Sequence, residues 1–429
     1  MLDRKFIVQN PQLVAENCRL RGVQCDVDQI VALEAQRLET LKQAQDLNQQ
    51  ANDVSKNIKT AKDDAQRQQM IARGRQLRES KDETQSQHDE LDSQIAELQS
   101  IIPNLTHPAV PEGGEHDANE LARGKTAITD FDFDALDHLQ LGERHDLFDF
   151  EAGARVAGAG FYFLKNAAVR LDLALQQYAV AFLADRGFTP VSTPDVALTS
   201  ILHGTGFNPR GPETQIYSIE NTELNLVATA EITLGGMMAG QTFDAAELPL
   251  KLCGLSHCFR TEAGAAGRAS KGLYRVHQFS KVEMFAFCGP DQSDDLHEEM
   301  RANECDLFDA LEVPYRVIDT ASGDLGGPAY RKYDLEAWMP GRGDSGAWGE
   351  VTSTSNCTDY QARRLNVRFK QTGQKGTNFV HTLNGTAVAT GRAMIAILEN
   401  HQRADGSINV PAVLQPWVGC EVIGAADAQ

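Results

Sequence analysis

Several features are missing from this chain, and each absence removes a class of function. No apolar run approaches the ~20 residues needed to cross a bilayer. The opening, MLDRKFIVQNPQLVAENCRL, lacks the uninterrupted apolar core of a secretory signal. Eight cysteines, at 18, 25, 253, 258, 288, 305, 357 and 420, include no C-x-x-C pair, a pattern that suits reduced thiols in a cytoplasm better than a disulfide framework or a zinc site. There is no G-x-x-x-x-G-K-[ST] phosphate loop, no H-E-x-x-H, no G-x-S-x-G and no strand-linked G-x-G-x-x-G. Cations are scarce as well: the formal net charge is −20, which taken alone disfavours a nucleic-acid partner, because phosphate binding relies on Lys and Arg.

The distribution of charge changes that last inference. Residues 52–81 hold Lys56, Lys59, Lys62, Arg67, Arg73, Arg75, Arg78 and Lys81 against Asp53, Asp63, Asp64 and Glu79, a basic island in an acidic protein. It lies within residues 28–100, which contain no proline, Gly74 as their single glycine, and Ile30, Leu33, Leu38, Leu41, Leu77, Leu91, Ile95 and Leu98 at helical spacing. The segment NIKTAKDDAQRQQMIARGRQ is poor in large apolar residues and predicts a turn. The expectation is a long antiparallel helical hairpin with helices of ~50 Å and its cations toward the tip, serving either as a nucleic-acid arm or as a coiled-coil dimerisation arm with a solvated face.

Three prolines and paired glycines in IIPNLTHPAVPEGGEHD close the hairpin. The remainder, with 429 residues in total and 41% hydrophobic content overall, is long enough for a large globular domain. Residues 167–184 predict an amphipathic or buried helix, DRGFTPVSTPDVAL an edge strand or extended segment, 249–260 and 273–288 two strands joined by TEAGAAGRASKG, and residues from Thr386 a largely apolar helix.

Chemistry concentrates where charges stand in apolar surroundings. Read with a two-residue period, LYRVHQFSKVEMF puts Arg275, His277, Phe279, Lys281 and Glu283 on one strand face, next to Arg260 and Glu262 of the preceding strand. A guanidinium pair suits phosphate oxygens and Phe279 suits a purine; a sheet laced by ion pairs is the plainer alternative. Arg392, in NGTAVATGRAMIAILEN, needs an anionic partner, either a structural carboxylate or a ligand phosphate. Glu350 and Ser353 offer oxygen ligands for a hard divalent cation, and Thr229 and Glu231 share a face of a presumed strand.

Together these segments resemble the seryl-tRNA synthetase family of class II aminoacyl-tRNA synthetases. The resemblance rests on TAE at 229–231, FRTEAGAAG at 259–267, GLYRVHQFSKVEMF at 272–285, GEVTSTSNCTDYQARR at 349–364 and HTLNGTAVATGRAMIAILENHQ at 381–402, in that order. It implies an α+β fold: an N-terminal tRNA-binding domain over 1–108 with the helical hairpin arm, and a catalytic domain over 109–429 built on an antiparallel β-sheet flanked by helices. It implies that L-serine is activated by ATP to seryl-adenylate and passed to the 3′ end of tRNA(Ser), with tRNA(Sec) a further acceptor to test. Arg260, Glu262 and Arg392 become the catalytic set. ATP is assigned Arg260, Thr261, Glu262, Arg275, Val276, Phe279, Glu350, Val351, Thr352, Ser353 and Arg392; serine is assigned Thr229, Ala230, Glu231, Arg260, Glu283, Asn384 and Thr386; and Mg2+ is assigned Glu350 and Ser353. The basic island becomes the tRNA-binding arm, RGFTPVSTPDV resembles the segment at the family's homodimer interface, and the setting is cytoplasmic, with no membrane.

Thr386 departs from the serine common in the family, and residues 204–222 form a longer, more polar segment than usual. Two rivals stand beside this reading. One is an adenylate-forming paralogue that loads a carrier protein, which the arm and an intact TAE disfavour. The other is an inactive RNA-binding homologue, disfavoured by retention of Arg260, Glu262, Glu283, Glu350 and Arg392.

Overall fold

The proline-free polar stretch winds into two long helices. In the computed structural model, which describes residues 1–207, 215–263 and 272–424, the first unit runs over Met1–Leu105. Short helices α1 (Arg4–Gln9) and α2 (Pro11–Leu20) precede α3 (Val27–Asn57) and α4 (Asp64–Ile101). At 1.5 Å per residue α3 and α4 span roughly 46 and 57 Å. Their starts are written in the sequence: Asp26 Oδ1 accepts from Gln29 N and Asp63 Oδ1 from Gln66 N, each at 2.8 Å. The turn falls at residues 58–63, inside the predicted segment.

The hairpin is zipped differently along its length. Near its base Ile30 and Ile95 are buried with Ile7, Val14 and Ile102. Toward the tip the buried positions are Ala44, Ala51 and Gly74, small residues that let two helices approach, together with Leu77, while Leu38, expected in the apolar stripe, is 51% exposed.

The second unit, Thr106–Gln429, is organised by an eight-stranded sheet. Its strands are β1 (Asn119–Arg123), β2 (Thr189–Ser192), β3 (Leu250–Phe259), β4 (Gln278–Cys288), β5 (Tyr315–Asp319), β6 (Arg331–Met339), β7 (Ala347–Thr358) and β8 (His381–Ala389). The spatial order is β1-β5-β6-β7-β8-β4-β3-β2. Every pairing is antiparallel except β2 with β3, and proline-bearing β2 takes the edge, where a missing N–H is tolerated.

Alternation along central β4 separates two cores. Val282, Met284, Ala286 and Cys288 join the large core formed with helices α5 (Ala167–Ala184), α7 (Ser293–Ala310) and α9 (Thr390–Asn400). Phe285 and Phe287 point the other way, into a smaller core with α6 (Ala230–Met237) and α8 (Tyr360–Leu365). That second face turns polar toward the start of β4, and the cleft described below opens there. The helix expected from Thr386 begins at Thr390, because residues 381–389 are drawn into the sheet between β7 and β4. All eight cysteines are free thiols, and no described helix is long and apolar enough to cross a membrane. The expected loop 261–272 and segment 204–222 lie outside the described residues at 264–271 and 208–214.

Candidate active site

The polar half of that sheet face floors an open cleft. Arg260, Glu262, Arg275, Val276, Phe279, Glu283, Glu350, Val351, Thr352, Ser353, Asn384, Thr386, Arg392, Thr229 and Glu231 all line it. Two anticipated residues do not. Ala230 is fully buried in the apolar core of α6, and Thr261, whose N–H donates to the Gln215 carbonyl at 3.1 Å, is absent from the lining.

The row of residues on β4 is shorter than the two-residue period predicts. The strand starts at Gln278, and residues 272–274 form a 3-10 turn. Gly272 sits there at φ +61°, where a Cβ would fall 2.1 Å from His138 Nε2, so the turn admits only glycine. Phe279, Lys281 and Glu283 form the strand's contribution, and Arg275 with Val276 reaches the cleft from the turn. His277 faces away, stacked on Phe161 at 5.3 Å and bonded to the Tyr217 hydroxyl.

Thr229 and Glu231 are likewise not on a strand. Thr229 caps α6, its Oγ1 accepting from Glu231 N at 3.2 Å, so Glu231 stands in the first turn at the cleft wall. A Thr-Ala-Glu start followed by apolar residues is a helix signature that outranks the local β pattern.

Glu350 and Ser353 are three residues apart and would face opposite sides of a regular strand. A register shift in β7 resolves this. Ser353 pairs with Asp334 and Thr352 with Leu335, but Glu336 pairs with Glu350, leaving Val351 as the extra residue of a bulge. Both oxygen-bearing side chains thereby reach the cleft.

The cations are held unequally. Arg392 Nη1 lies 3.4 Å from Glu350 Oε2 and donates to the Glu350 carbonyl at 2.9 Å, while its guanidinium rests 4.6 Å from the Tyr274 ring centroid. Arg275 pairs with Glu262 at 3.3 Å, and its Nε is buried without a partner. Arg260 lies 5.3 Å from the Phe279 ring centroid and donates to the Ala228 carbonyl. Among the described residues no carboxylate forms an ion pair with it. A part-buried guanidinium without a counter-ion is an anion site.

Two carboxylates mark the amino-acid end. Glu231 Oε1 accepts from Gln361 Nε2 at 2.6 Å and Asn384 Nδ2 at 3.0 Å. Burial, reinforced by Glu283, lifts its carboxyl to about 7 against the opposing pull of Gln361, Lys281 and Arg260. Glu283 Oε2 is met by Lys281 Nζ at 2.5 Å and by the Thr386 hydroxyl at 3.3 Å. At Glu350, burial pushes the carboxyl up, but Arg392, Lys332 and Arg260 together outweigh it and hold the group below its ordinary range. An ionised carboxylate and a hydroxyl on one cleft face are the hard oxygen donors that magnesium prefers, so Glu350 and Ser353 fit that ion.

Reasoning from sequence missed Phe207, Leu273, Tyr274, Lys281, Ala389 and Gly391 as lining residues. Lys281 was detectable, being in phase with Phe279 and Glu283. The others arrive through turns and strand ends that periodicity does not track.

An antiparallel sheet carrying a guanidinium-lined nucleotide cleft, closed by a strand-to-helix junction that supplies a further arginine, defines a class II aminoacyl-tRNA synthetase core. The model of the tRNA synthetase class II core domain (G, H, P, S and T) matches residues 215–401, and that of the seryl-tRNA synthetase N-terminal domain matches residues 1–106. The chain is 76% identical over 423 residues to the serine–tRNA ligase of Rhodopirellula baltica, covering 99% of each protein. Among solved structures it resembles seryl-tRNA synthetase from Pyrococcus horikoshii complexed with ATP, with TM-score 0.92 and 38% identity over 100% of both chains. It also resembles the cytoplasmic serine–tRNA ligase of Naegleria fowleri in complex with AMP, with TM-score 0.86 and 31% identity over 99% of this chain and 98% of that one. The chain belongs to the seryl-tRNA synthetase family.

Proposed function

We propose that this protein is a serine–tRNA ligase that activates L-serine with ATP and transfers the seryl group to the 3′ end of tRNA(Ser). The observation that carries the reading is Arg260, without an ion pair among the described residues, sharing one cleft with Arg275 and Arg392 at one end and with Glu231 and Glu283 at the other. Serine's carboxylate attacks the α-phosphorus of ATP, and pyrophosphate leaves. Charge builds on phosphoryl oxygens, so fixed cations aimed there supply most of the catalysis. No side-chain nucleophile is required.

In this reading Arg260 holds an α-phosphate oxygen and the serine carboxylate, and Arg275 with Arg392 holds the other phosphate oxygens. Phe279 stacks on adenine, Glu262 accepts from its amino group, and the backbone at Thr261, Val276, Val351 and Thr352 completes the nucleotide site. Magnesium, held by Glu350 and Ser353, neutralises phosphate charge when bound. Each pocket carboxylate has one oxygen tethered and one without a protein hydrogen bond among the described residues: Oε2 of Glu231 and Oε1 of Glu283. Glu231 takes the substrate's ammonium and Glu283 its hydroxyl, with Thr229, Asn384, Thr386 and the Ala230 backbone around them. Alanine leaves Glu283 unsatisfied, the kind of mismatch that rejects a wrong substrate by several kcal/mol.

The N-terminal domain, residues 1–108, grips tRNA through the hairpin. Lys56, Lys59, Lys62, Arg67, Arg73, Arg75 and Arg78 are exposed around its tip and Lys81 is half-buried, a phosphate-reading surface that recognises a long variable arm by shape. Residues 109–429 form the catalytic domain. The protein acts as a cytoplasmic homodimer, a reading supported by Phe163, Val169 and Leu173, apolar yet 40–50% exposed. tRNA(Sec) is a second acceptor in this reading. The test is amino-acid-dependent ATP–pyrophosphate exchange, followed by charging of serine tRNA. Serine alone is expected to support exchange at full rate. Exchange with serine but no tRNA charging would indicate a carrier-loading paralogue, and no exchange with any amino acid an inactive homologue.

A further inference from the structure

Beneath the amino-acid end of the cleft stands a cation to which the reading above gives no role. Lys281 is 5% exposed yet lines the cleft. Its Nζ lies 2.5 Å from Glu283 Oε2, donates to Thr229 Oγ1 at 2.8 Å and reaches Thr386 Oγ1 at 3.4 Å. An ammonium has three N–H donors, and these acceptors use all three. Lys281 therefore has nothing left with which to hold a substrate anion, and its effect passes through the groups it ties down.

The chief of these is Glu283. Lys281 and Thr386 both converge on Oε2, which fixes the carboxylate plane and leaves Oε1 toward the cleft. Other titratable groups face Glu283 as well. Glu231 faces it from α6 and Glu304 from α7, both carboxyls that burial drives toward neutrality, and Cys253 and Cys258 of β3 are also near. Arg260 stands near the same wall but forms no ion pair with Glu283. Among the described residues, Lys281 is the cation that forms an ion pair with Glu283.

We propose that Lys281 is the positioning residue that sets amino-acid specificity: it ties down one oxygen of Glu283 and leaves the other turned to the substrate, so that the pocket rewards a small amino acid bearing a hydroxyl. The inference rests on the serine-activating reading and deepens it. Without Lys281 the Glu283 carboxylate loses its tether and no longer holds an oxygen where the substrate hydroxyl needs it, so an alcohol and a methyl group are told apart less well.

The experiment is pyrophosphate exchange by the full-length chain with serine, alanine and threonine. Wild type must first show serine-dependent exchange; if it does not, the functional reading fails before Lys281 is tested. Given that activity, Lys281→Met is expected to raise KM for serine by about 100-fold with KM for ATP within about twofold. The serine-to-alanine ratio of kcat/KM should narrow by at least about tenfold. Lys281→Arg, which keeps the charge and its donors, should return the ratio toward wild type. An unchanged selectivity ratio in Lys281→Met would overturn the proposal. If that variant does not fold, Lys281→Gln, whose shorter amide cannot tie Glu283, Thr229 and Thr386 together, serves in its place. It should bind ATP normally and narrow the serine-to-alanine ratio, and a native ratio in it overturns the proposal equally.

Discussion

Glu304 shows how a single buried charge can be read for both stability and pH. It lies on α7 behind the cleft, 1% exposed, with Oε2 accepting from the Thr352 hydroxyl at 3.1 Å and Oε1 buried without a partner. Burial raises its carboxyl well above the ordinary range against the weaker pull of Thr352, and the nearby Glu283 and Asp334 add to the rise. A group whose folded pKa exceeds its unfolded one gives stability that is complete below the unfolded value and lost as pH rises through the folded one. Glu304→Gln has the same shape, keeps an acceptor for Thr352 and does not titrate. The variant is therefore expected to melt close to wild type near pH 4.5 and at least ~2 °C higher at pH 8, in thermal unfolding followed at both pH values; a gap that closes as pH rises contradicts the assignment. Nothing in the sequence marks Glu304, since DLHEEMRANECDLF contains three glutamates and two aspartates and only packing picks out the buried one. Arg260 and Arg392 were legible for the opposite reason: each stands as a lone cation in an apolar run, where burial without a ligand or partner is costly.

At the level of elements, legibility followed the length of the pattern. The two arm helices, α5 and the β3–β4 pair were visible because each repeats its period several times. The errors fell where two short signals competed. Thr229–Glu231 looked like a strand until its cap was weighed, and residues 386–389 looked helical because small apolar residues suit either state. The bulge at Val351 has no sequence signature at all, yet it decides whether Glu350 and Ser353 act together. Gly74 offers a test of how the arm is built. It is the only glycine in residues 28–100, it is helical and buried, and a Cβ there would meet Val54 Cγ1 at 3.6 Å, an ordinary contact. Gly74→Ala should stabilise the N-terminal unit by about 0.5–1 kcal/mol, seen as a higher urea midpoint for the arm's helical signal. A loss of stability would mean that the helices pack more closely there than Val54 indicates.

At the scale of the whole chain, the charge is divided in a way that makes its two proposed tasks separable. The catalytic cleft is built wholly from residues 207–392, whereas the exposed cations of the basic island all fall between 56 and 78. An acidic protein, at −20 overall, repels a polyanion, so tRNA capture should depend on the island and fall steeply with salt. The hairpin permits a clean excision: Gln36, Glu39, Thr40 and Gln43 of α3 lie alongside Gln87, Glu90, Leu91 and Gln94 of α4, so a short glycine connector can replace residues 40–90. The shortened protein keeps the buried base formed by Ile7, Val14, Ile30, Ile95 and Ile102. It is expected to carry out serine-dependent pyrophosphate exchange within about twofold of the full chain, because the cleft is intact, and to lose at least about 100-fold in kcat/KM for tRNA, because some eight phosphate-directed cations are gone. Raising salt should weaken charging by the full chain while leaving exchange nearly unchanged, since buried pairs are screened far less than exposed ones. Undiminished charging by the shortened protein would refute this division of labour and return the arm to its plainer role as a coiled-coil contact.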